Sequence, residues 1–237
     1  MGSDWQIIES GSLSPEAIMA KDAALLAQLD PTGPSLLHLY EWNVPCLTYG
    51  YFTDPAQDLN LEALERCELQ KARRPTGGGI IFHLSDLAFS VLLPASHPRF
   101  SVNTLDNYAF INQKVAEVVA SFTLQSVKPQ LYHQESTCLN QKCWAFCMAK
   151  PTQYDLMLKG KKVGGAAQRR TKQGLLHQAS LSLLPPPIDL LRQVLKNSDA
   201  VIEAMQQTSA YLLPHQTFEN DLDAARRQLK KDLKRML

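Results

Sequence analysis

"RRPTGGGIIFHLSDLAFSVLLP", residues 73–94, places two arginines and three consecutive glycines directly before an apolar run. The apolar part reads as a pair of short strands, the second stopped by Pro94. Glycines in such a position cost conformational entropy and weaken any strand they enter. Either the run is a bulge or tight turn, or it lets a ligand lie against bare backbone. In the second case its N–H groups face an anion, and Arg73 and Arg74 add charge that does not titrate away. A carboxylate or phosphate suits that combination. No Gly-Lys-Ser/Thr follows as in a Walker loop, and the Gly-x-Gly-x-x-Gly spacing of a dinucleotide site is absent.

Working outward, residues 14–30, "SPEAIMAKDAALLAQLD", read as a helix with Ser14 as N-cap and Pro15 in the first turn. "SLLHLYEWNVPCLTYGYF" reads as two strands around Asn43-Val44-Pro45, and "NLEALERCELQ" as a short helix begun by Asn60. "TLDNYAFINQKVAEVVASF" is a long helix with Thr104 as its expected cap and Ile111, Val115, Val118 and Val119 on one face. "YDLMLKGKKVGGAAQRR" has the Lys159-Gly160 pair of a hairpin, and "GLLHQASLSLLPPP" is a strand ended by prolines. From about residue 186 to 237 the pattern is helical. With no repeat, linker or low-complexity tract, the expectation is one α+β domain over residues 1–237, a mixed or antiparallel sheet flanked by helices, without a separate accessory domain.

The 237 residues carry 24 basic and 23 acidic side chains in no long block of one sign, so neither nucleic acid nor an anionic membrane is an expected partner. The first residues lack the pattern of a secretory signal, and no window is apolar over the length of a membrane span, so the expected location is cytoplasmic. The five cysteines are expected as free thiols. His133, Cys138, Cys143 and Cys147 are loosely spaced and contain no Cys-x-x-Cys pair, so zinc is not the expectation. His177, alone among apolar neighbours, reads as a hydrogen-bonded structural residue, and the terminal "KKDLKRML" as a solvated helix face.

A second segment repeats the first one's design. "KGKKVGGAAQRRTK", residues 159–172, sets cations beside Gly164 and Gly165. Together, "RRPTGGGIIFH" and "YDLMLKGKKVGGAAQRR" resemble the lipoate-protein ligase and octanoyltransferase family, with its Arg-Arg-x-Ser/Thr-Gly-Gly-Gly-x-x-x-His and Gly-x-Lys-Val/Ile-x-Gly-Ser/Ala-Ala patterns. The resemblance runs from about residue 35 to about residue 185. It implies the biotin/lipoate protein ligase catalytic-domain fold, related to that of class II aminoacyl-tRNA synthetases. It also implies that Arg74, Thr76, Gly77, Gly78, Gly79 and His83 line an acyl pocket, with Gly165 and Ala167 on the opposite wall. Lys162 matches the family's signature lysine at the acyl carbonyl and phosphate.

Joining a fatty carboxyl to a lysine amine requires carboxyl activation, a stabilised oxyanion and a tunnel for the tail, and the strands "IIF" and "LAFSVLL" are expected on that tunnel's floor. The first expectation is ATP-dependent lipoate ligation through an acyl-AMP, with Mg bridging the phosphates and any Mg site placed near Asp86. The second is lipoyl or octanoyl transfer through a thioester on Cys147, whose place before Tyr154 resembles one branch of the family and whose thiol is expected near Lys162. A non-catalytic acyl-binding module is the third reading. The implied acceptors are lipoyl domains of 2-oxo acid dehydrogenase complexes or the glycine cleavage H protein, steered by a basic strip of Lys159, Lys161, Arg169, Arg170 and Lys172. Two departures stand out: Leu84 replaces the acidic residue after the motif histidine, leaving Asp86 to take its part, and Gly50-Tyr51-Phe52-Thr53 offers no amide where the family has one.

Overall fold

The computed structural model describes residues 5–124, 128–134, 141–214 and 217–236. Its strands are β1 (Trp5–Leu13), β2 (Ser35–Trp42), β3 (Cys46–Tyr49), β4 (Gln70–Arg73), β5 (Ile80–His83), β6 (Asp86–Pro94), β7 (Gln130–Leu131), β8 (Leu156–Leu158), β9 (Lys161–Arg170) and β10 (Gly174–Ser182). The helices are α1 (Pro15–Ala27), α2 (Leu61–Arg66), α3 (Thr104–Phe122), α4 (Ile188–Val194), α5 (Ser198–Thr208) and α6 (Glu219–Met236). Strands β1, β4 and β7 have no counterpart in the reading of the sequence.

Seven strands form one mixed sheet in the order β1-β2-β6-β10-β9-β8-β7, antiparallel except for the β1–β2 pair. The other three form a small sheet, β4-β3-β5, in which β3 runs parallel to β4 and antiparallel to β5. The β8–β9 hairpin forms as expected, but the other two strand pairs expected from the sequence are divided. β2 and β6 enter the large sheet while their chain neighbours β3 and β5 enter the small one, so neither pair is a hairpin.

Alternation along the large sheet sorts its side chains between two layers. Phe89, Val91 and Leu93 point into a core closed by Ile111, Val115, Val118 and Val119 of α3 and by Leu229 and Leu233 of α6. Leu36, Leu92 and Leu176 point the other way, under Leu26 of α1 and Leu29 just beyond it. The small sheet packs through Leu47 and Ile80 against α2, α4 and α5. The terminal helix is therefore part of the main core rather than a solvated appendage. Its Lys230 pairs with Glu41 at 2.6 Å and its Lys234 pairs with Glu9, so both fasten it to the large sheet. Asn103, one residue before the expected cap, closes the first turn of α3 by accepting from the Leu105 N–H at 3.1 Å. Among the described residues no helix is long and apolar enough to cross a membrane.

Candidate active site

A cavity of about 440 Å³ opens between the two sheets. Arg74, Gly78, Gly79 and His83 reach it from the small-sheet side, Lys162, Gly165 and Ala167 from β9, and Cys147 from the segment beside β5. The two glycine-bearing segments of the sequence thus face one space. Thr76 and Gly77 do not line it: Thr76 is fully buried behind the loop, where its hydroxyl donates to Gln178 Oε1 at 2.7 Å. Of the expected floor strands, Ile81 and Ala88 reach the cavity, while Phe89, Val91 and Leu93 are spent on the α3 core, as strand alternation requires.

The glycine run has specific steric causes. Gly78 sits at φ +85°, and a Cβ on Gly79 would lie 2.0 Å from the Ala145 carbonyl oxygen. That contact is built in because Ile80 N–H donates to the same oxygen at 2.6 Å, joining residues 145–147 to the small sheet alongside β5. The segment then turns into a 3-10 helix, Cys147–Ala149. Its Met148 carbonyl accepts from Thr208 and Ser209 at the end of α5, at 3.1 and 2.7 Å. Cys147 is thereby held at the cavity wall with its thiol free of any disulfide.

Lys162 is 3% exposed, and its ammonium is committed. Nζ lies 2.6 Å from Asp155 Oδ2 and donates to the Cys147 carbonyl oxygen at 2.8 Å. A Cβ on Gly165 would come within 2.8 Å of Lys162 Cε and 2.9 Å of Nζ, which is the physical reason for glycine there. Asp155 also accepts from the Thr152 N–H and hydroxyl at 2.6 and 2.7 Å. The sequence reading missed Asp155; its only signal is an acidic residue at the start of the hairpin strand that carries no apolar alternation.

Arg74 donates from Nη1 to Thr48 Oγ1 at 2.8 Å and from Nη2 to the carbonyls of Gly77 and Gly79 at 3.0 and 2.7 Å. Burial holds its pKa below the usual guanidinium value. Thr48 and His83 Nε2 are 2.8 Å apart, and His83 Nδ1 is 2.6 Å from Asp86 Oδ2. The Asp86 carboxylate, an acceptor only, holds the ring proton on Nδ1, so Nε2 of the neutral ring accepts from the Thr48 hydroxyl, whose oxygen accepts from Arg74. Asp86 thus takes the polar part vacated by Leu84. Asp86 itself does not line the cavity, which its partner His83 reaches. No group of three His, Cys, Asp or Glu side chains suited to a metal occurs among the described residues.

Other sequence candidates fall elsewhere. Thr53, in the stretch lacking an amide, donates its hydroxyl to the Gly78 carbonyl at 2.9 Å. Cys143 is buried, Cys138 lies outside the described residues, and the ring of His133 packs against Tyr154. His177 is fully buried, accepts from Gln168 Nε2 at 2.8 Å, and is pushed down to about 3 by burial. The basic strip is split: Lys161 and Arg169 sit at opposite ends of β9, roughly 25 Å apart at strand rise.

Residues 14–227 match the lipoyl protein ligase A/B catalytic domain. The chain belongs to that family. It is 31% identical over 206 residues to octanoyltransferase LipM of Bacillus subtilis, covering 86% of this chain and 74% of the relative. It is 34% identical over 182 residues to octanoyltransferase LipM of Geobacillus kaustophilus, covering 76% and 65%. The match to LipM of Halalkalibacterium halodurans, 32% identical over 76% of this chain, spans 66% of that relative, so the chain corresponds to about two thirds of such proteins. The fold agrees. A lipoate-protein ligase A crystallised with ATP superposes with a TM-score of 0.69 at 21% identity, over all of this chain and 85% of that one. A bi-partite lipoate protein ligase of Thermoplasma acidophilum, studied with its lipoyl domain, gives 0.68 at 20% over 99% and 84%. Membership places the chain among ligases and transferases of acyl groups.

Proposed function

We propose that this family member is an octanoyltransferase that carries the acyl group as a thioester on Cys147. The observation supporting it most directly is the position of Cys147, a free thiol at the wall of the shared cavity and flanked by Arg74 and Lys162. Named relatives that are octanoyltransferases favour this over the ATP-dependent route that heads the sequence reading.

In this mechanism the cavity takes the acyl tail toward Met19, Tyr40, Trp42 and Ala88 and holds the carbonyl near Cys147. The sulfur attacks the carbonyl of an octanoyl thioester carried by a donor. The new C–S bond forms, the donor's C–S bond breaks, and the thiol proton of Cys147 leaves on the released donor thiol. A neutral lysine amine of an acceptor lipoyl domain then attacks the Cys147 thioester. The amide forms, the C–S bond to Cys147 breaks, and one amine proton returns to the sulfur. Lys162, fixed by Asp155, directs positive charge at the carbonyl end of the cavity, where the oxyanion of each tetrahedral intermediate develops. Glycine in place of side chains leaves room for both attacks.

Mass spectrometry after mixing with an octanoyl thioester is expected to show one added octanoyl group on Cys147, chased onto an acceptor lipoyl domain without ATP. Cys147→Ser is expected to lose both signals. Label reaching the acceptor from free octanoate or lipoate only when ATP is present, and surviving Cys147→Ser, would replace this reading with the ligase one.

A further inference from the structure

We propose that Arg74, rather than Lys162, is the cation against which the Cys147 sulfur develops negative charge. The assignment rests on the thioester reading above and adds a catalytic residue to it.

Three cations line the cavity; Lys150 lies over the Trp144 ring, 3.3 Å from its centroid, and the other two differ in what neutralises them. Lys162 has a buried carboxylate at 2.6 Å, so that the Lys162–Asp155 pair carries no net charge. Arg74 is 6% exposed and donates to the Thr48 hydroxyl and two carbonyl oxygens, all of them neutral. Among the described residues it has no carboxylate within ion-pair distance. Burying a cation without a counter-anion is unfavourable unless negative charge arrives to meet it. The sulfur is placed to supply that charge. A Cβ on Gly78 would stand 3.1 Å from Arg74 Nη2 and 3.9 Å from Cys147 Sγ, so the guanidinium and the sulfur both border the space that Gly78 leaves open. Among the groups that oppose the effect of burial on Arg74, Cys147 comes first.

Other charged and titratable groups around the sulfur do not compete. The Lys162–Asp155 pair approaches from β9 and the start of β8, with Nζ turned to the Cys147 carbonyl oxygen. Tyr108 approaches from α3 with its phenol kept protonated by burial. His83 stands behind Thr48, and through Nδ1 to Asp86 and Nε2 from Thr48 it fixes the lone pair that Arg74 uses. Thr48, His83 and Asp86 are thus positioning residues for the guanidinium.

The test is alkylation of Cys147 in the full chain by iodoacetamide, a neutral probe, at pH 7. Arg74→Gln is expected to slow it by about tenfold or more, with partial recovery in Arg74→Lys. The double variant Lys162→Gln with Asp155→Asn removes the pair without leaving a buried charge, and is expected to alkylate within about threefold of the parent while losing acyl transfer. Thr48→Val keeps the charge and frees the guanidinium; an intermediate slowing is expected, and this variant carries the test if Arg74→Gln does not fold. Alkylation of Arg74→Gln and Thr48→Val at the parent rate, or a double variant slowed as much as Arg74→Gln, overturns the assignment. Failure of the parent to form an octanoyl thioester would instead sink the thioester reading, since alkylation reports on the sulfur whatever the substrate.

Discussion

Gly165 shows how a single missing methyl group organises the cavity. Its absent Cβ leaves the space that Lys162 Cε and Nζ occupy, and Lys162 has no freedom to retreat because Asp155 and the Cys147 carbonyl hold its ammonium. Gly165→Ala is expected to cost about 1–3 kcal/mol of stability, the range for forcing an extra carbon into a packed site. Its larger effect falls on function, because moving the ammonium by even an ångström misplaces the charge meant for the oxyanion, and a loss of roughly 100-fold in transfer rate is expected. Steady-state kinetics beside urea denaturation separates the two effects. If Gly165→Ala transfers normally while keeping the parent's stability, the close approach has no functional weight.

At the scale of elements, caps and breaks explain where the chain turns. α1 begins as its sequence dictates, with Ser14 accepting from the Ala17 N–H at 3.2 Å and Pro15 in the first turn. α3 begins one residue earlier than the apolar periodicity suggests, because Asn103 sits in extended backbone with its side chain turned to Leu105 N–H, while Thr104 is already helical. Asn103→Ala is therefore expected to destabilise by about 1 kcal/mol and Thr104→Ala by only a few tenths. The midpoints of denaturant unfolding check the order, and equal or reversed costs would place the cap at Thr104 after all. The same helix carries Asn112, which donates to the Tyr154 carbonyl at 2.8 Å and so steadies the turn that presents Asp155.

Across the whole molecule, a buried histidine links the fold to pH. His177 has a folded value near 3 against about 6.5 for an exposed histidine, because burial disfavours its charged form. The unfolded chain therefore binds a proton between those values that the folded chain does not. His177 sets no penalty above about pH 6.5, and its cost grows as pH falls toward 3, at up to about 1.4 kcal/mol per unit. His177→Asn, which can still accept from Gln168, is expected to unfold less steeply with acid than the parent when stabilities are compared from pH 7 to pH 4. Parallel curves for the two proteins would mean that the histidine is not held neutral in the fold.

Local order was legible in the sequence because it is written in spacing and residue type. The long helices, the Lys159-Gly160 hairpin and the two glycine-bearing segments all follow from periodicity and from the scarcity of side chains at particular positions. Cys147, Lys162, Arg74 and His83 could be singled out for the same reason, as chemistry-bearing residues in or near those segments, and the structure gathers all four around one cavity. The division of consecutive strands between two sheets was not legible, nor was the pairing of Lys162 with Asp155 rather than with the thiol. Spacing along a chain fixes which way a side chain points from its own strand. Which strand lies beside it, and which charge meets which across the gap, is decided by packing segments far apart in sequence, and only the tertiary structure holds that information.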